Sequence, residues 1–152
     1  MSSMSSGPSG SSGPSEPIID GLAHVGIAVR SLEAAIARWT QTLGFRHVDT
    51  ITLESMGLRV AFLEAGGTEI ELLEPLRADS AISTFLEKRG EGIHHLSFYV
   101  RDIEMALTRA AAAGLELIDR TAREGSHGTK IAFVHPRSMG GVLIEFCERR
   151  HG

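Results

Sequence analysis

Residues 24–36 read HVGIAVRSLEAAI and residues 95–107 read HLSFYVRDIEMAL, so Val29-Arg30, Glu33 and Ala35 recur as Val100-Arg101, Glu104 and Ala106. A repeat of about 70 residues is too long for a solenoid unit and suits a duplicated half-domain. Each copy opens on a histidine, His24 and His95. Further along, GGTEIELLEP (66–75) places Glu71 in a strand-like run, and MGGVLIEFCE (139–148) places Glu145 at the matching point. Two histidines and two glutamates at equivalent positions of two copies point to one shared site.

Periodicity supplies the elements around these words. Residues 22–29 alternate small or polar side chains (His24, Gly26, Ala28) with bulky ones (Val25, Ile27, Val29), the period of a strand with two unlike faces. Ser31 can cap a helix whose apolar stripe is Leu32, Ala35, Ile36, Trp39 and Leu43, stopped by Gly44. Strands are expected near 45–54, 58–64 and 68–74. A bridging helix is expected over 78–88, opened by Asp79 or Ser80 and followed by Gly90 and Gly92. The second copy repeats the order: strand 93–100, helix 102–113 ended by Gly114, then strands near 115–120, 129–134 and 142–147. The fold class is therefore α+β, two tandem βαβββ modules at about 20–76 and 92–148 within one domain, 17–152.

Strand parity places the candidate ligands. If Val25, Ile27, Val29 and Leu96, Phe98, Val100 meet the helices, then His24, Gly26, Ala28 and His95, Ser97, Tyr99 lie on the other face. Ile70, Leu72, Ile144 and Phe146 likewise face the helices, which turns Glu71 and Glu145 away from them. If the two modules curve toward each other, the non-helical face lines a cleft. His94 has the opposite parity to His95 and reads as structural or edge-exposed, and His135-Pro136 reads as turn chemistry.

Composition narrows the function classes. The 152 residues are 42% hydrophobic and 22% charged, which fits one soluble domain with a real core and contains no apolar run of membrane-spanning length. A net charge of -4 with no basic stripe speaks against nucleic acid as a partner. The one cysteine, Cys147, excludes an internal disulfide framework, suits a cytoplasmic location and reads as a small buried hydrophobe. Residues 1–16, MSSMSSGPSGSSGPSE, read as a disordered tail or an expression-tag remnant, lacking the apolar core of a secretory signal.

A lone strand histidine is more often a hydrogen-bonded structural residue than a ligand, and a strand glutamate is usually the wet side of an alternation. The equivalent placement and shared parity of all four argue against that reading here. Neutral imidazole and carboxylate from each half make a mixed nitrogen and oxygen shell, suited to cobalt, manganese, nickel or zinc with positions left open for water or substrate.

The duplicated plan resembles the vicinal oxygen chelate superfamily. The words HVGIAVRSLEAAI (24–36), TEIELLEPLRADSAISTFLEKRGEGIHH (68–95) and KIAFVHPRSMGGVLIE (130–145) resemble the methylmalonyl-CoA epimerases in particular. The resemblance implies a curved mixed sheet around a metal cleft, with His24, Glu71, His95 and Glu145 as metal ligands and cobalt as the favoured ion. It implies an acyl-CoA thioester substrate inverted at C2 through a metal-stabilised enolate, with Glu145 as a catalytic acid/base, and a homodimer. Some epimerases carry a second catalytic glutamate on the strand that here reads GLRVAF, where this chain has Val60. Glu54, Glu69 and His127 are the candidates to replace it, and Arg77, Lys88, Arg89, Lys130 and Arg137 are candidates to meet coenzyme A phosphates. Two other functions remain open on the same scaffold: a glyoxalase-type metal enzyme, and a non-enzymatic small-molecule binding module. A dioxygenase would more typically use two histidines and one carboxylate.

Overall fold

Apolar strands and amphipathic helices of this sequence assemble into one curled mixed sheet of eight strands, β2-β3-β4-β1-β5-β8-β7-β6, in a computed structural model that describes residues 16–150. Apart from Glu16, the N-terminal tail expected from composition lies outside the described residues. The strands are β1 (Ile19–Ala28), β2 (Arg46–Leu53), β3 (Leu58–Ala65), β4 (Thr68–Pro75), β5 (Gly92–Val100), β6 (Arg123–Glu124), β7 (Lys130–Val134) and β8 (Ile144–Glu148). The α-helices are α1 (Leu32–Ala37), α2 (Ala81–Arg89) and α3 (Ile103–Ala112).

The sheet is built from two like halves joined back to back. In the first, β1 pairs in parallel with β4, setting Gly26 opposite Glu71; in the second, β5 pairs in parallel with β8, setting Ser97 opposite Glu145. The halves meet where β1 runs antiparallel to β5, with His24 opposite Ser97 and Gly26 opposite His95. Each histidine thus faces a small residue at the equivalent position of the other half.

The helices cover the face that parity assigned to them. Val25, Ile27, Ile70 and Leu72 pack with Leu32 and Ala35 of α1, and Leu96, Phe98, Ile144 and Phe146 pack with Ile103, Ala106 and Leu107 of α3. Both helices start on side-chain caps, Ser31 accepting from Ala34 N and Asp102 from Met105 N. The duplication extends to a second cap: Glu74 Oε2 accepts from Leu32 N at 2.9 Å, and Glu148 Oε1 accepts from Ile103 N at 2.8 Å. Each glutamate lies three residues beyond a candidate ligand, on the helix-facing side of its strand, so one strand serves the site with one face and a helix N-terminus with the other. The bridging helix α2, capped by Ser80, packs Ile82 and Leu86 against Ala28, Leu58, Val60 and Leu73.

Two expectations are corrected. Residues 115–120 form no strand; Leu117 makes only an isolated bridge to Val134, and the backbone N–H groups of Ile118 and Asp119 both donate to the Phe133 carbonyl. Leu43 does not continue the α1 stripe, because residues Arg38–Thr42 widen into a π-helical turn that rotates it into solvent, where it is 60% exposed. No helix among the described residues is long and apolar enough to cross a membrane.

Candidate metal centre

The face of the sheet turned away from α1 and α3 lines a cavity of about 210 Å³. His24, Glu71, His95 and Glu145 all stand in its wall, and His24, His95 and Glu145 are buried. His24 Nε2 lies 3.0 Å from His95 Nε2 and 3.2 Å from Glu145 Oε1, and His95 Nε2 lies 3.5 Å from the same oxygen. Three donors each about 2.1 Å from one ion, at angles between octahedral and tetrahedral, are separated by about 3.0–3.4 Å. Two edges of the observed triangle fall in that range and the third, 3.5 Å, lies just above it. Glu145 Oε1 is fully buried and forms no aligned hydrogen bond among the described residues, so the imidazoles crowd it without satisfying it. An orphaned buried carboxylate oxygen beside two imidazole nitrogens is the donor set that a divalent cation fits.

Glu71 approaches from the other side of the first imidazole, its Oε2 3.0 Å from His24 Nδ1. Once Glu71 is ionised, a proton on Nδ1 donated to its carboxylate leaves the Nε2 lone pair facing the cluster. Burial, and next the charge of Glu145, push the Glu71 carboxyl up to about 8 against the opposing pull of His95. Glu145 goes the other way: burial raises it, but the two imidazoles outweigh burial and hold it well below the ordinary carboxylate range.

Gly26 is required where it stands. A Cβ built on it would lie 2.5 Å from His95 Nδ1 and 2.8 Å from Nε2, and closer still to Cε1. Only a residue without a side chain lets the His95 ring lie over the neighbouring strand.

The reading of His94 as structural or edge-exposed is half corrected. Between the pairs Gly26 with His95 and Ile27 with Ile93 the register slips by one residue, a bulge that defeats simple alternation. His94 therefore also lines the cavity, its Nδ1 2.9 Å from His95 Nδ1 and its ring against Phe85 of α2 at 5.1 Å. Burial, then the adjacent His95, lowers it to about 4. No parity argument could have found it, since the bulge is a property of strand pairing.

Val60 is buried in the cavity wall. Of the residues considered as its replacement, Glu69 and His127 line the cavity, whereas Glu54 lies in an exposed 3₁₀ turn outside it. None of the five candidate phosphate-binding cations lines the cavity. Arg77 pairs with Asp79 at 3.0 Å, Arg137 pairs with Glu116 at 2.9 Å, and Arg89 lies over the Phe85 ring. His135 caps a turn, accepting from Arg137 N at 3.0 Å, and Cys147 is a buried free thiol whose burial pushes it up to about 12.

A model of the glyoxalase/bleomycin resistance protein/dioxygenase superfamily matches residues 23–133. The ethylmalonyl-CoA/methylmalonyl-CoA epimerase of Cereibacter sphaeroides is 39% identical over 130 residues, 84% of this chain and 97% of the relative. The crystal structure of methylmalonyl-CoA epimerase from Mycobacterium tuberculosis superposes with a TM-score of 0.86 at 38% identity, covering 91% of this chain and 93% of that one. A methylmalonyl-CoA epimerase in complex with methylmalonyl-CoA and ammonium superposes at 0.82 with 34% identity, covering 86% and 94%. This chain belongs to the methylmalonyl-CoA epimerase family of that superfamily, and its curled eight-stranded sheet is the vicinal oxygen chelate fold.

Proposed function

We propose that this protein is a metal-dependent methylmalonyl-CoA epimerase, interconverting the (R) and (S) thioesters by removing and replacing the proton at C2. What supports the reading is the buried triangle of His24, His95 and Glu145 in a cavity, in a chain whose relatives are named for this reaction. His24, His95 and Glu145 form the core of the donor set, Glu71 joins as the fourth ligand by turning its carboxylate from His24 Nδ1, where it stands 3.0 Å away, and cobalt(II) is the favoured ion. When bound, the ion supplies Lewis-acid stabilisation to the oxygens of an enolate. Glu145 takes or returns the C2 proton, and His94, 2.9 Å from His95 Nδ1, fixes the tautomer of that imidazole. The apolar walls contributed by Leu58, Val60, Leu73, Ile131 and Phe133 exclude bulk water from the planar carbon. A homodimer in the cytoplasm, acting in propionate metabolism, completes the reading. The test follows configuration and C2 protons of methylmalonyl-CoA by NMR with metal-stripped and cobalt-reloaded protein. Inversion restored by cobalt and absent in His95→Ala supports the assignment; a folded, cobalt-loaded protein that leaves C2 untouched refutes it.

A further inference from the structure

Inversion at C2, on the reading above, lifts a proton from one face of a planar carbon and delivers one to the other, so a group is needed on each side. Glu145 serves one side, and the aliphatic Val60 can serve neither. Outside the four candidate ligands, the cavity wall holds five side chains that commonly act as acids or bases: Glu69, His94, Tyr99, His127 and Cys147. Cys147 is packed among Ala23, Ile131 and Phe133. His94 is engaged by His95 and Phe85. Tyr99 lies under the Arg149 guanidinium, 3.7 Å from its ring centre, and Glu69, one residue from the turn of its hairpin, is exposed as His127 is but has no second group among the described residues to aim it.

His127 is differently placed. It belongs to the β6–β7 connection of the second half yet reaches the first: Nε2 lies 3.2 Å from Asp49 Oδ2 on β2, and the ring packs on Phe62 of β3 with centroids 4.7 Å apart. Its backbone, at φ 54°, is the only left-handed non-glycine among the described residues, and strain of this kind concentrates where a side chain must be aimed. Asp49 is itself fixed, its Oδ1 accepting from Thr50 N at 2.8 Å. A proton on Nε2 held by Asp49 leaves Nδ1 with its lone pair, the arrangement of an oriented imidazole base.

We propose that His127, aimed by Asp49, is the second acid/base group of the epimerisation and works the face of C2 that Glu145 does not. In one direction the Glu145 carboxylate takes the C2 proton, the C–H electron pair enters the enolate, and the His127 imidazolium gives its Nδ1 proton to form the new C–H bond. In the other direction neutral His127 takes the proton and protonated Glu145 returns one; exchange with solvent resets both. The inference rests on the epimerase reading.

Each enantiomer of methylmalonyl-CoA is incubated in deuterated water with cobalt-loaded protein, and deuterium and configuration at C2 are followed separately. His127→Asn is the informative variant, because asparagine accepts a left-handed backbone and lacks the basic nitrogen. Inversion is expected to fall about 100-fold or more in both directions. The enantiomer whose proton faces Glu145 still gains deuterium, with retention, while its mirror form does not. Cobalt(II) binding isotherms and the melting temperature stay at wild-type values, which separates this role from ligation. Asp49→Asn reproduces the one-sided exchange with a smaller loss, and decides the matter if His127→Asn fails to fold. The proposal is overturned if His127→Asn inverts within about threefold of wild type, or if both enantiomers lose exchange equally in a folded, cobalt-bound variant. A wild-type protein that neither exchanges nor inverts overturns the reaction itself, and this proposal with it.

Discussion

Substituting Gly26 by alanine adds one methyl group and is expected to disable the metal centre. The new carbon would stand 2.5 Å from His95 Nδ1 and 2.8 Å from Nε2, where non-bonded heavy atoms settle at about 3.5 Å. The imidazole must therefore retreat by about 1 Å, several times the roughly 0.2 Å tolerance of a metal–nitrogen bond. It cannot retreat freely, because His94 holds Nδ1 from behind and Phe133 packs against the ring with centroids 5.6 Å apart. Overpacking of this sort costs about 1–3 kcal/mol of stability, and misplacing one donor should weaken metal binding by at least about 10–100-fold. The backbone at Gly26 needs no left-handed conformation, so the effect is attributable to the methyl group alone. Calorimetric titration with cobalt(II) and thermal melting of metal-free protein measure the two consequences. Wild-type affinity together with a wild-type melting temperature would mean that His95 does not lie over Gly26, and the construction of the site would be wrong.

Other expectations concern protons and caps. With its pKa raised to about 8 in the fold, Glu71 carries a proton at pH 7, and a cation in the cluster expels it, so titrations in buffers of different ionisation enthalpy should show net proton release. The same raised pKa means that the metal-free fold binds more protons than the unfolded chain between about 4.5 and 8, so its contribution to stability is lost as pH rises through that window. His94, lowered to about 4, acts in the opposite sense up to 6.5. The two contributions oppose one another below 6.5, so the melting temperature of metal-free protein should fall from pH 6.5 to 8, and a flat or rising profile there would contradict the burial of Glu71. Glu148→Ala strips the Ile103 N–H of its buried acceptor and should cost about 1–3 kcal/mol in chemical denaturation. Ser97→Ala removes a buried hydroxyl that has no hydrogen-bond partner among the described residues, so metal-free stability should hold or rise by up to about 1 kcal/mol; a clear loss would reveal a partner for that oxygen.

The repeat made His24, His95, Glu71 and Glu145 legible as a group, because duplication and strand parity are properties of local sequence that survive folding. Parity also assigned Ile70, Leu72, Ile144 and Phe146 to the helices, where they lie. It failed where pairing departs from regularity. The bulge between β1 and β5 turns His94 into the cavity beside His95, and the π-helical turn after α1 sends Leu43 outward. The run 115–120 has the composition of a strand but pairs with β7 through a single bridge. Contacts between segments far apart along the chain were the least legible. That His127 would meet Asp49, 78 positions earlier, follows from the curl of the sheet and from no pattern along the chain.

Metal-stripped protein titrated with cobalt(II) in deuterated water, with inversion of methylmalonyl-CoA recorded at each addition, joins the metal centre to the chemistry in one experiment. The rate should climb with added ion and break at one ion per chain, and every inverted molecule should carry deuterium at C2. Full-rate inversion by the stripped protein, or a chain saturated with cobalt that leaves the configuration unchanged, would contradict the account.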